Sequence, residues 1–392
     1  MLVIGDSLSA LALLGMTLLA LVACAPTSET TAQQAPPVAE TATPAAQPPA
    51  AQPATANSFN LMAVGDNLIH DNVYHSGLQP DGTHDYASMY APLRAYVAAA
   101  EVAFINQETI CGGEELGLSS YPFFNGPQQI LDALHATGFN WINTASNHAL
   151  DRGEAGILAQ LSYLQRFDGL VQTGTHATAQ DAATPTVIER NGVRIGLASY
   201  TYGLNGLEPP AGKTYLVDVI DREKIERDLA ALLPVSDVQI VNMHWGDEYS
   251  LEVTDEQREL AQFLADQGVD VVLGEHPHVV QPTVFVTGAQ GNRTLVAYSL
   301  GNVLSSQVEP ECLLGELLQC TISLDAATGA VEISDVAVVP LVTHISRDYT
   351  AFTTYPLVDY TEELAGQHAL SIRIQDFSLT WLKNLATQVF GE

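Results

Sequence analysis

Two histidines separated by a proline, His276 and His278, are the first residues whose spacing in this sequence suggests chemistry. They lie in the segment GEHPHVVQP, directly after the apolar run 269–273. Pro277 fixes the backbone between the two imidazoles, which suits ligands of neighbouring metal ions. A His-x-His pair is also common in ordinary loops, so the interpretation depends on what else the chain places at its strand ends.

Four other apolar runs that predict strands are followed by residues able to bind a metal. These are Asp66 after 59–64, Glu108 after 102–106, Asn147 and His148 after 140–144, and His244 after 238–243. In an open α/β sheet, ligands bind outside the carboxyl ends of the strands. Carboxylate, carboxamide and imidazole donors suit Mn, Fe or Zn, and here they are too many for one tetrahedral site. The set predicts two divalent metal ions that share a carboxylate, although each residue alone also fits an ordinary loop.

The elements that must position these residues alternate along the chain. Helical patterns are predicted at 86–100, 128–136, 154–167, 220–233 and 255–267. Asn191-Gly192 predicts a two-residue hairpin between strands 186–190 and 193–199, and a second hairpin is predicted from 317–324 and 331–339. The alternation indicates an α/β class with added hairpins. The segment after residue 306 is predicted to be mainly β and either completes the main domain or packs on it.

Six blocks in this order resemble the signature blocks of the CapA-type capsule (poly-γ-glutamate) synthesis proteins: VGDNLIHDNVY, INQETI, TASNHALDRG, NMHWGDEY, GVDVVLGEHPHVVQP and AYSLGN. The resemblance implies a CapA-like metal-binding domain at 58–306, followed by a C-terminal, mainly β extension at 307–392. That family is similar to the calcineurin-like metallophosphoesterases. The implied fold is therefore an α/β/β/α sandwich with a two-metal site.

The resemblance also implies a role for each matched residue, with Glu108 as the ligand that both ions share. One ion would be held by Asp66, Glu108 and His278, and the other by Glu108, Asn147, His244 and His276. His148 would be the general acid, and Asp151 would hold its second ring nitrogen. The metal pair would activate water as the nucleophile at neutral pH.

The sequence departs from the metallophosphoesterase pattern at two positions. Leu68 stands where those enzymes have the histidine of an Asp-x-His motif, so one ion loses a ligand unless His70 turns back toward it. Glu108 replaces the usual bridging aspartate. These departures leave open a single-metal site, or a metal site without hydrolysis. Four further residues of the blocks either contribute to the site or pack at strand ends: Trp245, Glu248, Ser299 and Asn302.

The stretch SYPFFNGP, residues 120–127, lies between the Glu108 and Asn147 blocks. Its aromatic and proline residues predict an ordinary packed loop, and a wall or lid over the site is the alternative.

The N-terminus predicts a location outside the cytoplasm. The apolar run 8–22 has signal-peptide length and ends in Leu21-Val22-Ala23-Cys24, which resembles the lipobox of bacterial lipoproteins. Asp6 and the lack of Lys or Arg before this run depart from a basic signal region, which leaves the true translation start open. An uncleaved N-terminal anchor is the alternative to a cleaved signal peptide. Residues 25–57 are rich in Pro, Ala, Thr and Gln, which predicts a disordered tether. The protein is expected to be a lipoprotein with signal peptide 1–24, anchored to the bacterial membrane through Cys24.

The net charge of the chain limits the classes of partner that it is expected to bind. The formal net charge is −31, from 14 Lys and Arg against 45 Asp and Glu, which argues against binding to nucleic acid or adsorption to anionic lipid. An anionic substrate would need a local positive charge, and a bound metal can supply it.

Outside the cytoplasm, Cys312 and Cys320 are candidates for a small-loop disulfide, with Cys111 left over.

The functional expectation is an extracytoplasmic, metal-dependent hydrolase in capsule polymer biosynthesis. Its substrate would be a phosphoester or a bond in a cell-surface polymer such as poly-γ-glutamate. A non-catalytic envelope component that assists polymer synthesis or export, within a membrane complex, is the alternative. A solute-binding lipoprotein is a third possibility, but it leaves the strand-end ligands unexplained.

Overall fold

The structure is a computed structural model that describes residues 57–391. The predicted signal peptide, the lipidation site Cys24 and the predicted tether up to residue 56 lie outside the described residues. Within residues 57–391, none of the helices combines the length and the apolar content that a membrane crossing requires.

The first sheet has eight strands in the order β14-β13-β12-β1-β2-β3-β4, with β11 paired to the end of β1. Its strands are β1 (Ser58–Asn67), β2 (Val102–Asn106), β3 (Trp141–Asn143), β4 (Val171–Thr173), β11 (Asn302–Leu304), β12 (Leu314–Leu324), β13 (Val331–Ile345) and β14 (Phe352–Pro356). Strands β1 to β4 are mutually parallel, so their carboxyl ends share one edge. Strand β12 pairs antiparallel with β1, which means that the C-terminal segment completes this sheet.

The second sheet has six strands in the order β5-β6-β7-β8-β10-β9. They are β5 (Thr186–Arg190), β6 (Val193–Thr201), β7 (Val238–His244), β8 (Val271–Glu275), β9 (Val280–Thr287) and β10 (Arg293–Leu300). The predicted hairpin joins β5 to β6, and Asn191 and Gly192 have φ values of 49° and 84°, as a type I′ turn requires. Strands β6, β7 and β8 are parallel.

Helices cover the outer faces of the two sheets. They are α1 (Asp71–Ser76), α2 (Arg94–Ala98), α3 (Gln129–Thr137), α4 (Gly153–Leu164), α5 (Ala179–Ala182), α6 (Arg222–Leu232), α7 (Asp255–Asp266), α8 (Glu362–Gln367) and α9 (Leu379–Phe390). Leu131 of α3 and Leu382 of α9 belong to the core of the first sheet, and Leu264 of α7 belongs to that of the second. Phe104 and Ile240 belong to the core between the sheets. The predicted α/β/β/α sandwich is confirmed.

Two predicted elements differ from the structure. The helix predicted at 86–100 is confined to a 3₁₀ turn at Ala91–Leu93 followed by α2, because Pro92 favours the first turn of a helix and not its interior. The extension is mainly β as far as β14, but the chain beyond it forms α8 and α9. Helix α9 is capped by the Ser378 side chain, which accepts a hydrogen bond from the Trp381 backbone N–H.

The suggested Cys312–Cys320 disulfide is wrong, because both cysteines and Cys111 are buried free thiols. Cys312 lies in the turn before β12, and Cys320 lies seven positions into that strand, paired with Leu61 of β1. An extended strand rises about 3.3 Å per residue, which carries the two sulfurs far beyond bonding distance.

Candidate metal centre

The predicted ligands and the predicted acid converge at the carboxyl ends of strands from both sheets. The first sheet supplies residues at or after the ends of β1, β2 and β3, and the second supplies those at the ends of β7 and β8. All are at most 5% exposed: Asp66, Glu108, Asn147, His148, His244, His276 and His278. The sequence pattern therefore identified a real cluster, assembled from segments that are distant in the chain.

Glu108 occupies the middle of this cluster. Its Oε1 atom lies 3.9 Å from Nε2 of His244, and its Oε2 atom lies 3.7 Å from Nδ1 of His278. It belongs to two groups whose donor atoms all lie within 4.8 Å of one another, one with His244 and His276 and the other with Asp66 and His278. A carboxylate placed in this way can serve two neighbouring metal ions.

Asp66 is held in place by three neighbours. Its Oδ1 accepts a hydrogen bond of 2.7 Å from Nδ2 of Asn106, and the backbone N–H of His276 lies 3.3 Å from each carboxylate oxygen. Its Oδ2 lies 3.1 Å from Nδ1 of His278. Asn106 is oriented in turn by Asn143, which donates to its Oδ1 at 2.6 Å. The carboxylate is therefore preorganised toward His278.

Asn147 and His244 form the opposite side of the centre. Oδ1 of Asn147 lies 3.0 Å from Nε2 of His244, so the carboxamide oxygen and the imidazole nitrogen face the same point. Nδ1 of His244 lies 3.4 Å from Nδ2 of Asn106. Asn106 thus contacts residues from both halves of the cluster.

The electrostatics of the centre fit a divalent cation. Both carboxylate oxygens of Glu108 are buried without a hydrogen-bond partner among the described residues, and so is Nδ1 of His276. Burial raises the pKa of Glu108 well above its usual value. Burial and the neighbouring His278 lower the pKa of His276 to about 3. At His278, burial lowers the pKa, but Glu108 and Asp66 outweigh it and raise the value to about 9. Burying the carboxylates of both Asp66 and Glu108 is costly, and a bound divalent cation offsets that cost.

The backbone of the His-x-His segment is strained. His276 has a φ of 100° and His278 a φ of 61°, conformations that side chains rarely adopt and that persist where the surrounding structure enforces them. Gly274 permits the preceding close approach, since a Cβ there would lie 2.1 Å from the Tyr298 carbonyl oxygen. Such strain is typical of functional sites.

His148 lies beside the cluster with its ring fixed from two directions. Its Nδ1 is 2.8 Å from Oδ2 of Asp151, as predicted, and the edge of its ring meets Phe124 at a centroid distance of 4.7 Å. Oδ2 of Asp151 also accepts a hydrogen bond of 2.6 Å from the backbone N–H of Phe124. The stretch 120–127 therefore packs and also walls the site through Phe124, whereas Tyr121 is 77% exposed.

Of the other sequence candidates, four form hydrogen bonds within the packed structure and one, Glu248, lies among possible metal ligands. The indole N–H of Trp245 donates to the Tyr298 carbonyl at 2.9 Å within the core of the second sheet. Asn302 donates to the Cys312 carbonyl at 3.1 Å, and Ser299 donates to the Val279 carbonyl at 2.8 Å. Nδ1 of His70 accepts from the Ser306 backbone at 3.4 Å, and His70 lies outside the three possible metal groups found among the described residues. Glu248 belongs to one of these groups, together with His276 and His278.

Three residues near the centre were missed as site residues. Asn106 ends β2 and orients Asp66, and Glu275, fully buried, ends β8 beside His276. Burial, and then Asp66, raise the pKa of Glu275 well above its usual value. A charged residue beside the histidine pair was a usable signal. Tyr202 covers His276 with a ring-centroid distance of 4.6 Å, and no signal in the sequence marks it.

Comparison with known proteins identifies relatives of this chain. Residues 60–307 match the family described as "Bacterial capsule synthesis protein PGA_cap". The chain is 28% identical over 188 residues to the PGA biosynthesis protein CapA of Bacillus subtilis (strain 168), and the match covers 46% of each chain. It is 29% identical over 185 residues to the capsule biosynthesis protein CapA of Bacillus anthracis, covering 46% of this chain and 43% of that one. The matched segment thus spans just under half the length of these relatives.

Among solved structures, the NAD nucleotidase NadN of Haemophilus influenzae aligns with 86% of this chain and 60% of its own, at 11% identity and a TM-score of 0.42. The family match covers more than half of the chain and includes every predicted metal ligand. The chain therefore belongs to the PGA_cap family of bacterial capsule synthesis proteins.

Proposed function

We propose that this protein is a metal-dependent hydrolase that acts on a capsule polymer of the poly-γ-glutamate type, or on a phosphoester, during capsule biosynthesis. The observation that carries the proposal is Glu108, a buried carboxylate that has no hydrogen-bond partner within residues 57–391 and that belongs to two groups of donors. The family membership supports a role in capsule synthesis.

Two ions would be held by the chain's own residues. Asp66, Glu108 and His278 would hold one, and Glu108, Asn147, His244 and His276 would hold the other. The donors are oxygen and nitrogen, which suit Mn, Fe or Zn. When bound, such ions polarise the scissile group and lower the pKa of water, so that attack is possible at neutral pH. In the strained His276–His278 segment, His276 would bind one ion and His278 the other.

His148 would give a proton to the leaving group. Its Nδ1 faces Asp151 at 2.8 Å, which leaves Nε2 free to carry the proton that is transferred. Asp151 fixes the ring orientation. Phe124 packs against the ring edge and restricts its rotation. Asp151 and Phe124 would therefore fix the direction of Nε2 of His148, while the metal ligands would position the reacting group.

A non-catalytic role in polymer synthesis or export is the second candidate, and Leu68 favours it. Leu68 is 2% exposed and aliphatic, so one ion lacks a ligand that metallophosphoesterases have. A centre with one ligand fewer would bind a polymer end through coordinated metal without cleaving it.

The location belongs to the proposal as well. The lipobox-like segment ending at Cys24, followed by the Pro/Ala/Thr-rich stretch, supports a lipid anchor that holds the metal-binding domain outside the cytoplasm, near a membrane complex that makes the polymer.

The test compares metal-loaded wild type with His148→Ala on a panel of phosphoesters and on poly-γ-glutamate. Turnover that falls in the variant while metal content is retained supports the hydrolase. Absence of turnover, under conditions in which a related phosphatase is active, contradicts it. In that case, a His148→Ala strain that still makes polymer while a Glu108→Ala strain does not would support the non-catalytic role.

A further inference from the structure

The two groups around Glu108 are unequal in their number of donors. Glu108, Asn147, His244 and His276 offer four to one ion, whereas Asp66, Glu108 and His278 offer three to the other. Leu68, where a further donor would be expected, is buried, and its backbone N–H donates to the Leu304 carbonyl at 2.8 Å. Its side chain has no donor atom to offer.

His70 does not fill this position. Its Nδ1 accepts a hydrogen bond from the Ser306 backbone, and its ring meets the Phe124 ring at a centroid distance of 5.3 Å. Within residues 57–391, none of the groups of possible metal ligands includes it. A further protein donor for this ion would therefore have to come from another part of the fold.

Glu248 lies close to the two histidines of the His-x-His segment. One of its carboxylate oxygens lies within 4.8 Å of a ring nitrogen of His276 and of one of His278. Glu248 is exposed, and it has no hydrogen-bond or ion-pair partner among the described residues. Nδ1 of His276, buried in a residue only 3% exposed, also lacks a partner there. The Glu248 carboxylate therefore lies near both histidines of the His-x-His segment, although a separate loop carries it.

The loop that carries Glu248 is attached to the His-x-His segment on both sides. The backbone N–H of Trp245 donates to the Glu275 carbonyl at 3.0 Å, and that of Tyr249 donates to the Pro277 carbonyl at 2.8 Å. Tyr249 has a φ of 66°, so this loop is strained at the residue after Glu248. These contacts hold the carboxylate next to the histidines.

The donors near Glu248 are His278, assigned to the ion with three ligands, and His276, assigned to the ion with four. This geometry, together with the smaller number of ligands around the first ion, points to Glu248 as its fourth protein ligand beside Asp66, Glu108 and His278. This assignment rests on the proposed metal centre but not on hydrolysis. Because Glu248 is exposed and the other ligands are buried, the ion that it completes is the more weakly held and more readily exchanged of the two.

The test titrates metal-free protein with Mn²⁺, following binding by calorimetry and the spin coupling of a Mn pair by electron paramagnetic resonance. Glu248→Gln removes the charge at nearly constant shape, and Glu248→His keeps a donor. Asp247→Asn is the matched control, since Asp247 is the exposed neighbour and lies outside the metal groups of the described residues.

Wild type and Asp247→Asn are expected to bind two ions and show the coupled signal. Glu248→Gln should weaken the second ion at least tenfold and show an isolated Mn²⁺ spectrum, and Glu248→His should recover the second ion. Two ions of unchanged affinity in Glu248→Gln would overturn the assignment and leave the proposed centre intact. An equal loss in Asp247→Asn would also overturn it, because loop charge alone would then explain the effect. If wild type bound no ion, the proposed centre itself would fail.

Discussion

Nδ1 of His278 lies 3.1 Å from Oδ2 of Asp66, although 212 residues separate them in the chain. Asp66 belongs to β1 of the first sheet, and His278 follows β8 of the second. The candidate centre therefore lies where the carboxyl ends of strands from both sheets meet. Since no local segment contains a complete set of ligands, metal binding should depend on the packing of the sandwich.

His148→Ala should lower kcat by about 100-fold or more if His148 donates the proton to the leaving group. Asp151→Asn should lower it by about 10- to 100-fold, because the ring keeps its place but loses its orienting charge. Both variants should retain wild-type metal content, measured beside the rates. His75→Ala, an exposed histidine on α1, is the control. Equal activity of His148→Ala and His75→Ala would exclude His148 as the acid.

Gly65→Ala and Gly274→Ala should each lower the free energy of unfolding by about 2–4 kcal/mol. A Cβ at Gly65 would lie 1.9 Å from the Gly301 carbonyl oxygen, and one at Gly274 would lie 2.1 Å from that of Tyr298. Because both glycines precede proposed ligands, metal affinity should fall as well. Urea unfolding and metal titration measure the two effects.

The matched control for these substitutions is Gly366→Ala in α8. An added Cβ there meets no atom within 4 Å, and alanine is favoured over glycine in helices by about 1 kcal/mol. This variant should be as stable as wild type or more so. A Gly274→Ala protein with an unchanged urea midpoint would show that β8 and β10 do not pack as described.

The sequence predicted which residues cluster at the strand ends better than it predicted the peripheral elements. Ligand-type residues directly after apolar runs identified the centre, because strands of an α/β sheet place such residues at one edge. His276 and His278 could not be assigned from their own spacing, and they became interpretable only together with Asp66, Glu108 and His244.

The sequence pattern could not predict the direction in which each side chain points. Trp245 and Glu248 lie in the same block, yet the first packs into the core of the second sheet and the second faces the histidines. Helix α9 carried a readable signal, since Ser378 precedes apolar residues at Leu382 and Leu385 with helical spacing. This helix was not predicted because the C-terminal extension was expected to be mainly β.

Acid should destabilise the C-terminal part of the domain through two buried histidines. Nδ1 of His344 lies 2.6 Å from the Tyr360 hydroxyl, and Nε2 of His368 lies 3.1 Å from the Thr343 carbonyl oxygen. Burial lowers both pKa values to about 4, whereas unfolded histidine titrates near 6.5. The stability that the two neutral histidines contribute is therefore fully present above about pH 6.5 and is lost as the pH falls toward 4.

Protonation of each histidine should lower the free energy of unfolding by about 2 kcal/mol when the pH falls from 7.5 to 5.0. Urea unfolding at the two pH values measures this loss. His368→Asn should be less stable than wild type at pH 7.5 but should lose about 2 kcal/mol less on acidification. Parallel losses in the two proteins would mean that His368 does not contribute.

Metal content is the most direct test of the central claim. The purified protein is loaded with Mn, Fe or Zn, freed of excess metal and analysed for metal per chain by mass spectrometry. Glu108→Ala and His276→Ala are compared with Glu332→Ala, which removes an exposed carboxylate on β13. We predict about two ions per chain in wild type and in Glu332→Ala, and at most one in the other two variants. A folded wild-type protein without metal, or a Glu108→Ala variant that keeps both ions, would contradict the account.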